Sequence, residues 1–513
     1  MGRGERPVAR ECAGSKPVSR AWTQPVTGEI VQMAASSNSK TLLMTLAAAF
    51  ALSACGGGSD NVASPGEGAF PPPPTTTPPP TTPPTTPPPT TPPPTAAECP
   101  EGTTDVGEVA GLLNCQLPTK IVGEFALPRI DGLVYSINGR TDVGEDMGGD
   151  AANPAAQARK GTLTIEPGVT VFGSAGADFL MVNRGSQIFA EGTATAPVVF
   201  TSRQSVEGTT DIDSIGQWGG LVLLGRAAIS TCPGTAQPGT ATCEAQVEGA
   251  NGYYGGNAND DNSGVLKYVR VMHSGFEVLP DVELNGITLA GLGSGTTIDH
   301  VQVHNSSDDG FEWFGGTVNA THLVGTGNDD DTFDTDAGFR GGIQFGLIMQ
   351  RAGGGDRMNE MSSQDLPYRS MPNLANVTFV GAGHDNAIVL NQGTLVGYYN
   401  AVVTGGAPAC VEFQSDTTDG VFHSTYLSCD VPFAAGDAGR EAAAFNAGTN
   451  NATGTSTLTG GFINGANEAA VPAYAGLSAI NASFIDVDYI GAVKDAGDTW
   501  WQGWTCGLTA DDC

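Results

Sequence analysis

The chain has 513 residues, 22 Lys and Arg against 54 Asp and Glu, a formal net charge of −32, 72 Gly and 33 Pro. An acid excess of this size excludes a phosphate-binding face, and with it nucleic acid as a partner. The Gly, Thr, Val and Asn content excludes long helices, while 40% hydrophobic residues still supply a core for most of the chain.

In chain order, the first feature is Thr41 to Leu52, TLLMTLAAAFAL, preceded by Lys40 and followed by Ser53-Ala54-Cys55. A positive flank, a short apolar run and small residues before a cysteine make a secretory signal rather than a spanning helix. Leu52-Ser53-Ala54-Cys55 resembles the bacterial lipobox. That resemblance implies cleavage before Cys55 and acylation of its thiol; a plain signal peptide with an incidental Cys is the alternative. Gly56 stands where that family carries Asp for inner-membrane retention, so the resemblance implies an outer-membrane lipoprotein, periplasmic-facing or at the cell surface. Met33 opens a signal of ordinary length, which makes 1–32 a candidate misassigned start within a signal region of 1–54.

Residues 55–97 follow as a lipidated Cys and a Gly/Pro/Thr-rich linker. Residues 71–94 contain only Pro and Thr, with 15 of the prolines. Such a run forms neither helix nor ladder and extends as polyproline II, at about 3.1 Å per residue a disordered stalk of roughly 75 Å. Docking of an SH3-like partner is the alternative use.

From 98 to 513 there is no second linker. Short β-branched runs such as Leu163–Val171, Gly219–Leu224, Tyr268–Met272 and Asn376–Val380 alternate with Gly, Asn and Asp, which argues an all-β domain. Its eight cysteines suggest disulfides in an exported chain. Neighbour pairing closes the shortest loops, so Cys99–Cys115, Cys232–Cys243, Cys410–Cys429 and Cys506–Cys513 are expected. There is no C-x-x-C or C-x-x-C-H, no G-x-S-x-G, no Walker motif and no Rossmann fingerprint. Serine-hydrolase and nucleotide functions therefore lack a motif.

Self-comparison selects the architecture. His300-x7-Asp308-Asp309-Gly310-Phe311 matches His322-x7-Asp330-Asp331-Thr332-Phe333 at a shift of 22 residues, and a looser copy runs Asp385-Asn386-Ala387-Ile388. A period of this length in a β-rich chain marks a solenoid whose coils bury their faces on each other. The expected fold is a right-handed single-stranded parallel β-helix over 98–513, of a dozen or more coils and about 60 Å long at 4.8 Å per coil. The Trp500, Trp501 and Trp504 cluster is expected to cap the last coil, or to offer a sugar-stacking platform.

The segments Leu163-Thr-Ile-Glu-Pro-Gly, Gln217-Trp-Gly-Gly-Leu-Val-Leu-Leu-Gly225, Ser294–Val303, Asp308–Gly316 and Trp500-Trp-Gln-Gly-Trp504 are similar to a widespread group of Gram-negative lipoproteins with a pectin-lyase-like β-helix. The resemblance covers roughly 118–504 and implies the fold; it implies no particular chemistry.

The sharpest chemical feature is acidic. Asp308, Asp309, Glu312, Asp329, Asp330, Asp331, Asp334 and Asp336 fall within 29 residues. With Phe311 and Phe333 inward, alternation sends Glu312 and Asp334 outward on adjacent coils, and places Asp308 beside Asp330. Carboxylates that close need water, a shared proton or a cation. Three readings stand: solvated turn acids; a Ca²⁺ site built from Asp308, Glu312, Asp330, Asp334 and Asp336; and a catalytic set, Asp308, Asp330 and Asp334. The last follows from polygalacturonase-type hydrolases, which share the β-helix and use Asp on neighbouring coils, with inverting carboxyls about 6.5–9.5 Å apart. A lyase would add Ca²⁺ and a basic residue; Arg340, Arg351, Arg357 and Arg369 follow the cluster, and ordinary ion pairing with the acids is their default. A second acidic, Gly-rich loop, Tyr253–Gly264, is only loosely like a Ca²⁺-binding loop.

All six histidines (273, 300, 304, 322, 384, 423) fall in one central stretch. His300 and His322 are in register and could share Zn²⁺ or a transition metal; satisfied or solvent-facing histidines at strand starts are the default. Together these features predict a cell-surface lipoprotein that binds a polymer or protein partner, with Ca²⁺ at the acidic cluster and no nucleotide. The alternative is a polysaccharide hydrolase or lyase using the same acids.

Overall fold

A computed structural model describes residues 98–509, except 280, 281, 365, 366, 406 and 437. The signal region, Cys55, the Pro/Thr linker and Cys513 lie outside the described residues.

Eleven short strands stack in parallel in one sheet, from Lys120–Ile121 to Val431–Phe433, and eighteen form a second sheet. Each turn of chain returns to pair with the same edge one coil further on, which is what parallel pairing without helical crossovers requires. The domain is a parallel β-helix, as the 22-residue echo predicts. Six consecutive strands matter below: β1 (Thr297–His304), β2 (Phe311–Phe314), β3 (Asn319–Thr326), β4 (Phe333–Asp336), β5 (Gly342–Met349) and β6 (Asn359–Met361). β2, β4 and β6 belong to the eleven-stranded sheet, and β1, β3 and β5 to the other.

The core is built from in-register columns. Ile287, Phe311, Phe333, Asn359 and Ile388 occupy one column across five coils, all buried. Phe311 and Phe333 meet edge to face, with ring centroids 5.7 Å apart. The one polar member is satisfied: Asn359 Nδ2 donates to the Phe333 carbonyl at 2.9 Å, and Oδ1 accepts from the buried Tyr398 hydroxyl at 2.5 Å. Tyr398→Phe removes that donor and strands the Asn359 oxygen in the core. The expected loss is about 1–3 kcal/mol in denaturant unfolding; an unchanged midpoint would show that the oxygen repairs itself.

Coil length is less regular than expected. The spacing is 22 residues from Phe311 to Phe333, but 26 from Phe333 to Asn359 and 29 from Asn359 to Ile388. Leu221 and Ile287, paired neighbours, are 66 residues apart in the chain. This insertion carries the Cys232–Cys243 disulfide and two antiparallel hairpins, Ala245–Gln246 with Tyr253–Tyr254 and Glu277–Leu279 with Val282–Glu283. Long insertions therefore reduce the expected dozen or more coils to the eleven of the shorter sheet, about 48 Å of stacking rather than about 60 Å.

Helix α1 (Ala438–Ala447) covers the last coil: Phe445 packs against Phe422 and Phe433, and Glu441 Oε1 accepts from the Phe413 amide. The tryptophans do not cap that end. After the helix the chain runs back along the outside of the larger sheet, tied at Asn400 by Tyr474, at Asn376 by Tyr489, at Gln344 by Ile485, and at Gln302 by Cys506. Trp504 ends beside Tyr268 and His300, where its carbonyl accepts from Arg270. Sequence position at the chain end suggests an end cap, but satisfying the polar side chains on the flank draws the segment backwards.

Cys99–Cys115, Cys232–Cys243 and Cys410–Cys429 are disulfides, as neighbour pairing predicts. Cys506 is also disulfide-bonded, and its expected partner is outside the described residues.

Candidate functional site

Three turns and three strands of successive coils build one acidic cleft. The turn before each of β2, β4 and β6 carries an Asp three residues ahead of the inward column residue: Asp308, Asp330 and Asp356. Asp suits such turns because its side chain accepts from nearby amides. Asp309 Oδ1 accepts from the Asp331 amide at 3.1 Å, and Asp331 Oδ1 from the Arg357 amide at 2.8 Å, so each acid steadies the next coil. On the strands, the residue after the inward one faces out, giving a ladder of Glu312, Asp334 and Glu360 in register. The insertion adds Glu248 and Glu283 as a side wall, and Asn285 closes the floor, donating to Glu312 at 2.5 Å.

The result is a cleft of about 340 Å³ lined by ten carboxylates, Asn285 and one cation, Arg357. Arg357 is held by Glu360 at 2.6 Å, Asp356 at 2.9 Å, Asp385 at 3.5 Å and Asp331 at 3.9 Å. Asp385 is the looser copy seen in the sequence, and stands two coils beyond Asp330. Oxygens converge in three overlapping groups, Asp308/Asp309/Asp330, Asp309/Glu312/Asp334 and Asp330/Asp331/Asp356, each within 4.8 Å of one another. Asp334 Oδ1 is buried and accepts no hydrogen bond.

One cation cannot offset ten acids. Burial first, and then repulsion from Asp330 and Glu283, pushes the Asp308 carboxyl up to about 7. Burial raises Asp356 to about 6, although Arg357 opposes it. Asp309, Glu312, Asp331 and Asp334 are driven well above the carboxylate range by burial and by each other. Arg357 is pushed the opposite way, since its acid neighbours outweigh burial, and it stays protonated.

Of the expected metal ligands, the cleft takes in Asp308, Glu312, Asp330 and Asp334. Asp336 does not join them. It lies two residues further along β4, beyond the cleft lining, and accepts from Gln364 at 2.6 Å. The candidate catalytic trio Asp308, Asp330 and Asp334 does share one cleft, but the Asp308 and Asp330 oxygens lie within 4.8 Å, closer than the inverting separation of about 6.5–9.5 Å. Arg351 instead pairs with Asp213 and Asp329, Arg340 lies over the Tyr368 ring, and Arg369 donates to three backbone carbonyls.

Asp356 and Glu360 escape a 22-residue search because their coil is longer. The signal was nonetheless present: Asp356-x-x-Asn359-Glu360 repeats the spacing of Asp308-x-x-Phe311-Glu312 and Asp330-x-x-Phe333-Asp334, with Asn in the inward place. Nothing in the linear pattern points to Glu248 or Glu283.

A family model described as a pectate-lyase-like β-helix domain matches residues 152–505. The chain belongs to that family. No curated protein matches it. A solved structure, the Agl-KA catalytic domain, is 12% identical over 63% of this chain and 63% of its own, with a TM-score of 0.24. The chain thus spans less than two thirds of that structure, and the likeness is too low for fold or function to follow from it. Within this pectate-lyase-like β-helix, the acidic cleft falls inside the matched residues.

Away from the cleft, on the larger sheet, His300 and His322 sit at mid-strand bends rather than at strand starts. The register Tyr268, His300, His322, Phe345 and Asn376 runs across five coils, each residue in the left-handed region with φ between 49° and 61°.

Proposed function

We propose that this protein is an outer-membrane lipoprotein, anchored through Cys55, whose pectate-lyase-like β-helix binds a polysaccharide through Ca²⁺ held in the acidic cleft. The reading rests on the three overlapping carboxylate groups, whose oxygens face one another at metal-ligand range with a single cation among them. Hard oxygen donors in this number suit Ca²⁺, which accepts six to eight ligands and leaves places for sugar hydroxyls or carboxylates. The lipobox and the disulfides support the envelope location.

A second reading, hydrolysis, is favoured by Asp308. A carboxyl held near 7 is protonated often enough at neutral pH to act as a general acid, with Asp334, across the same cleft, as its partner. The lyase version fares worse: Arg357, locked among four carboxylates and protonated, is not available as a base.

Affinity electrophoresis through acidic and neutral glycans, with Ca²⁺ or chelator, separates these readings. Expected is Ca²⁺-dependent retardation that the Asp330→Asn/Asp334→Asn variant loses, no product, and release from the membrane fraction on Cys55→Ser. Retardation that survives chelator would sink the cation-bridged reading. New reducing ends abolished by Asp308→Asn would establish the hydrolase instead.

A further inference from the structure

We propose that Asp299, His300 and His322 form a binding site for one divalent ion of the Zn²⁺ or Cu²⁺ type, bridging the coils of β1 and β3. The bend ladder carries its own controls. His300, His322 and Phe345 stack face to face and Tyr268 joins the column tilted by 32°, with successive ring centroids 4.4, 4.2 and 4.8 Å apart. Tyr and Phe serve that stack at either end, and Asn376 serves the left-handed bend, so neither packing nor backbone asks for imidazole. Asp299 precedes the bend at His300, between the coils of Tyr268 and His322; the equivalent residues at Tyr268, His322 and Phe345 are Lys267, Thr321 and Gln344, so this rung alone carries an acid beside the paired rings.

The nitrogens converge on that Asp. Asp299 Oδ1 lies 2.6 Å from His300 Nδ1 and 3.3 Å from His322 Nδ1, and the three ligand atoms lie within 4.8 Å of one another. Ligand atoms around a tetrahedral ion with bonds of about 2.0–2.2 Å are about 3.3 Å apart, so an ion fits with small side-chain movement. Lys267 Nζ, 3.1 Å from Asp299 Oδ2, holds the carboxylate by its other oxygen and leaves Oδ1 to face the rings. Its charge also disfavours a hard ion held by one carboxylate and favours one that gains from imidazole. Trp500 and Trp504 meet the rings edge-on at 5.0–6.1 Å and keep them oriented. The three ligand side chains are 13–23% exposed, which leaves the site open to water as a fourth ligand. No residue is shared with the acidic cleft.

The test uses the untagged full chain in excess Ca²⁺, which occupies the hard-oxygen cleft, titrated with Cu²⁺ and read by electron paramagnetic resonance and by calorimetry, with Zn²⁺ as competitor. Expected is one equivalent showing nitrogen coupling from two imidazoles, displaced by Zn²⁺. His322→Phe keeps a ring on a backbone that Phe345 already adopts, and with Asp299→Asn it should weaken binding at least about tenfold. No binding, coupling to a single nitrogen, or unchanged affinity in both variants would overturn the site. Should His322→Phe not fold, Asp299→Asn decides alone.

Discussion

The stabilisation conferred by Ca²⁺ should be close to zero at pH 5 and about 3–4 kcal/mol at pH 8, at concentrations a few hundred times the dissociation constant. Asp308 and Asp356 have folded pKa values raised above their unfolded ones, to about 7 and about 6, and Asp309, Glu312, Asp331 and Asp334 are raised with them. For such groups the stabilising protonated form is fully present below about pH 4 and is lost as pH rises through the folded value. One unit is worth about 1.4 kcal/mol, so Asp308 alone loses on the order of 4 kcal/mol across that window, and the coupled acids titrate with it as a set. In the proposed site Ca²⁺ would take over the protons' role and compete with them at low pH. Raw melting curves mix in an opposite effect, because burial first lowers the pKa values of His273, His304 and His322, whose neutral forms cost stability below pH 6.5. The difference between scans with Ca²⁺ and with chelator cancels that contribution. A Ca²⁺ increment that does not grow with pH, or that persists in Asp330→Asn/Asp334→Asn, would remove the cleft as its source.

Arg357→Gln should cost about 3–5 kcal/mol at pH 7.5 in chelator. Its guanidinium is 20% exposed and stands against Asp331, 5% exposed, and Glu360, 19% exposed. Removal leaves buried acids with no cation. Either Ca²⁺ or a shift to pH 5 should recover most of the loss, because each restores neutrality by another route. Arg203→Gln is the control: Arg203 and its partner Glu207 are 44% and 36% exposed, and exposed pairs are worth under about 1 kcal/mol. A loss at Arg357 equal under all three conditions would mean that the side chain acts through its packing and not its charge.

The fold was legible because two coils have the same length. The Phe311 and Phe333 echo gives both the architecture and the pairing of Glu312 with Asp334, which register confirms. The acidic cleft was legible only as far as that equality holds. Four residues added before Asn359 hide Asp356 and Glu360 from any fixed period, and an Asn in the core column disguises the strand that carries them. Glu248 and Glu283 reach the cleft from an insertion whose return path depends on its own disulfide and hairpins, not on the repeat. Asp336 fails for a different reason: alternation puts it on the correct face but two residues too far along the strand, where Gln364 claims it. The tryptophans show the limit of reasoning from chain position, since hydrogen bonds on the flank outweigh proximity to the last coil.

That returning tail has a consequence for biogenesis. The contacts from Arg270 to Trp504 and from Gln302 to Cys506 span 234 and 204 residues of chain. A polypeptide delivered N-terminus first can stack its coils as they emerge, but the bend ladder at their centre stays open to water until Trp500 and Trp504 arrive. Completion of the flank therefore reports that the chain has been made through Cys506. A product ending before Trp500 would keep its coils yet expose a column of four rings, the kind of uncovered surface by which quality-control proteases tell unfinished chains from finished ones.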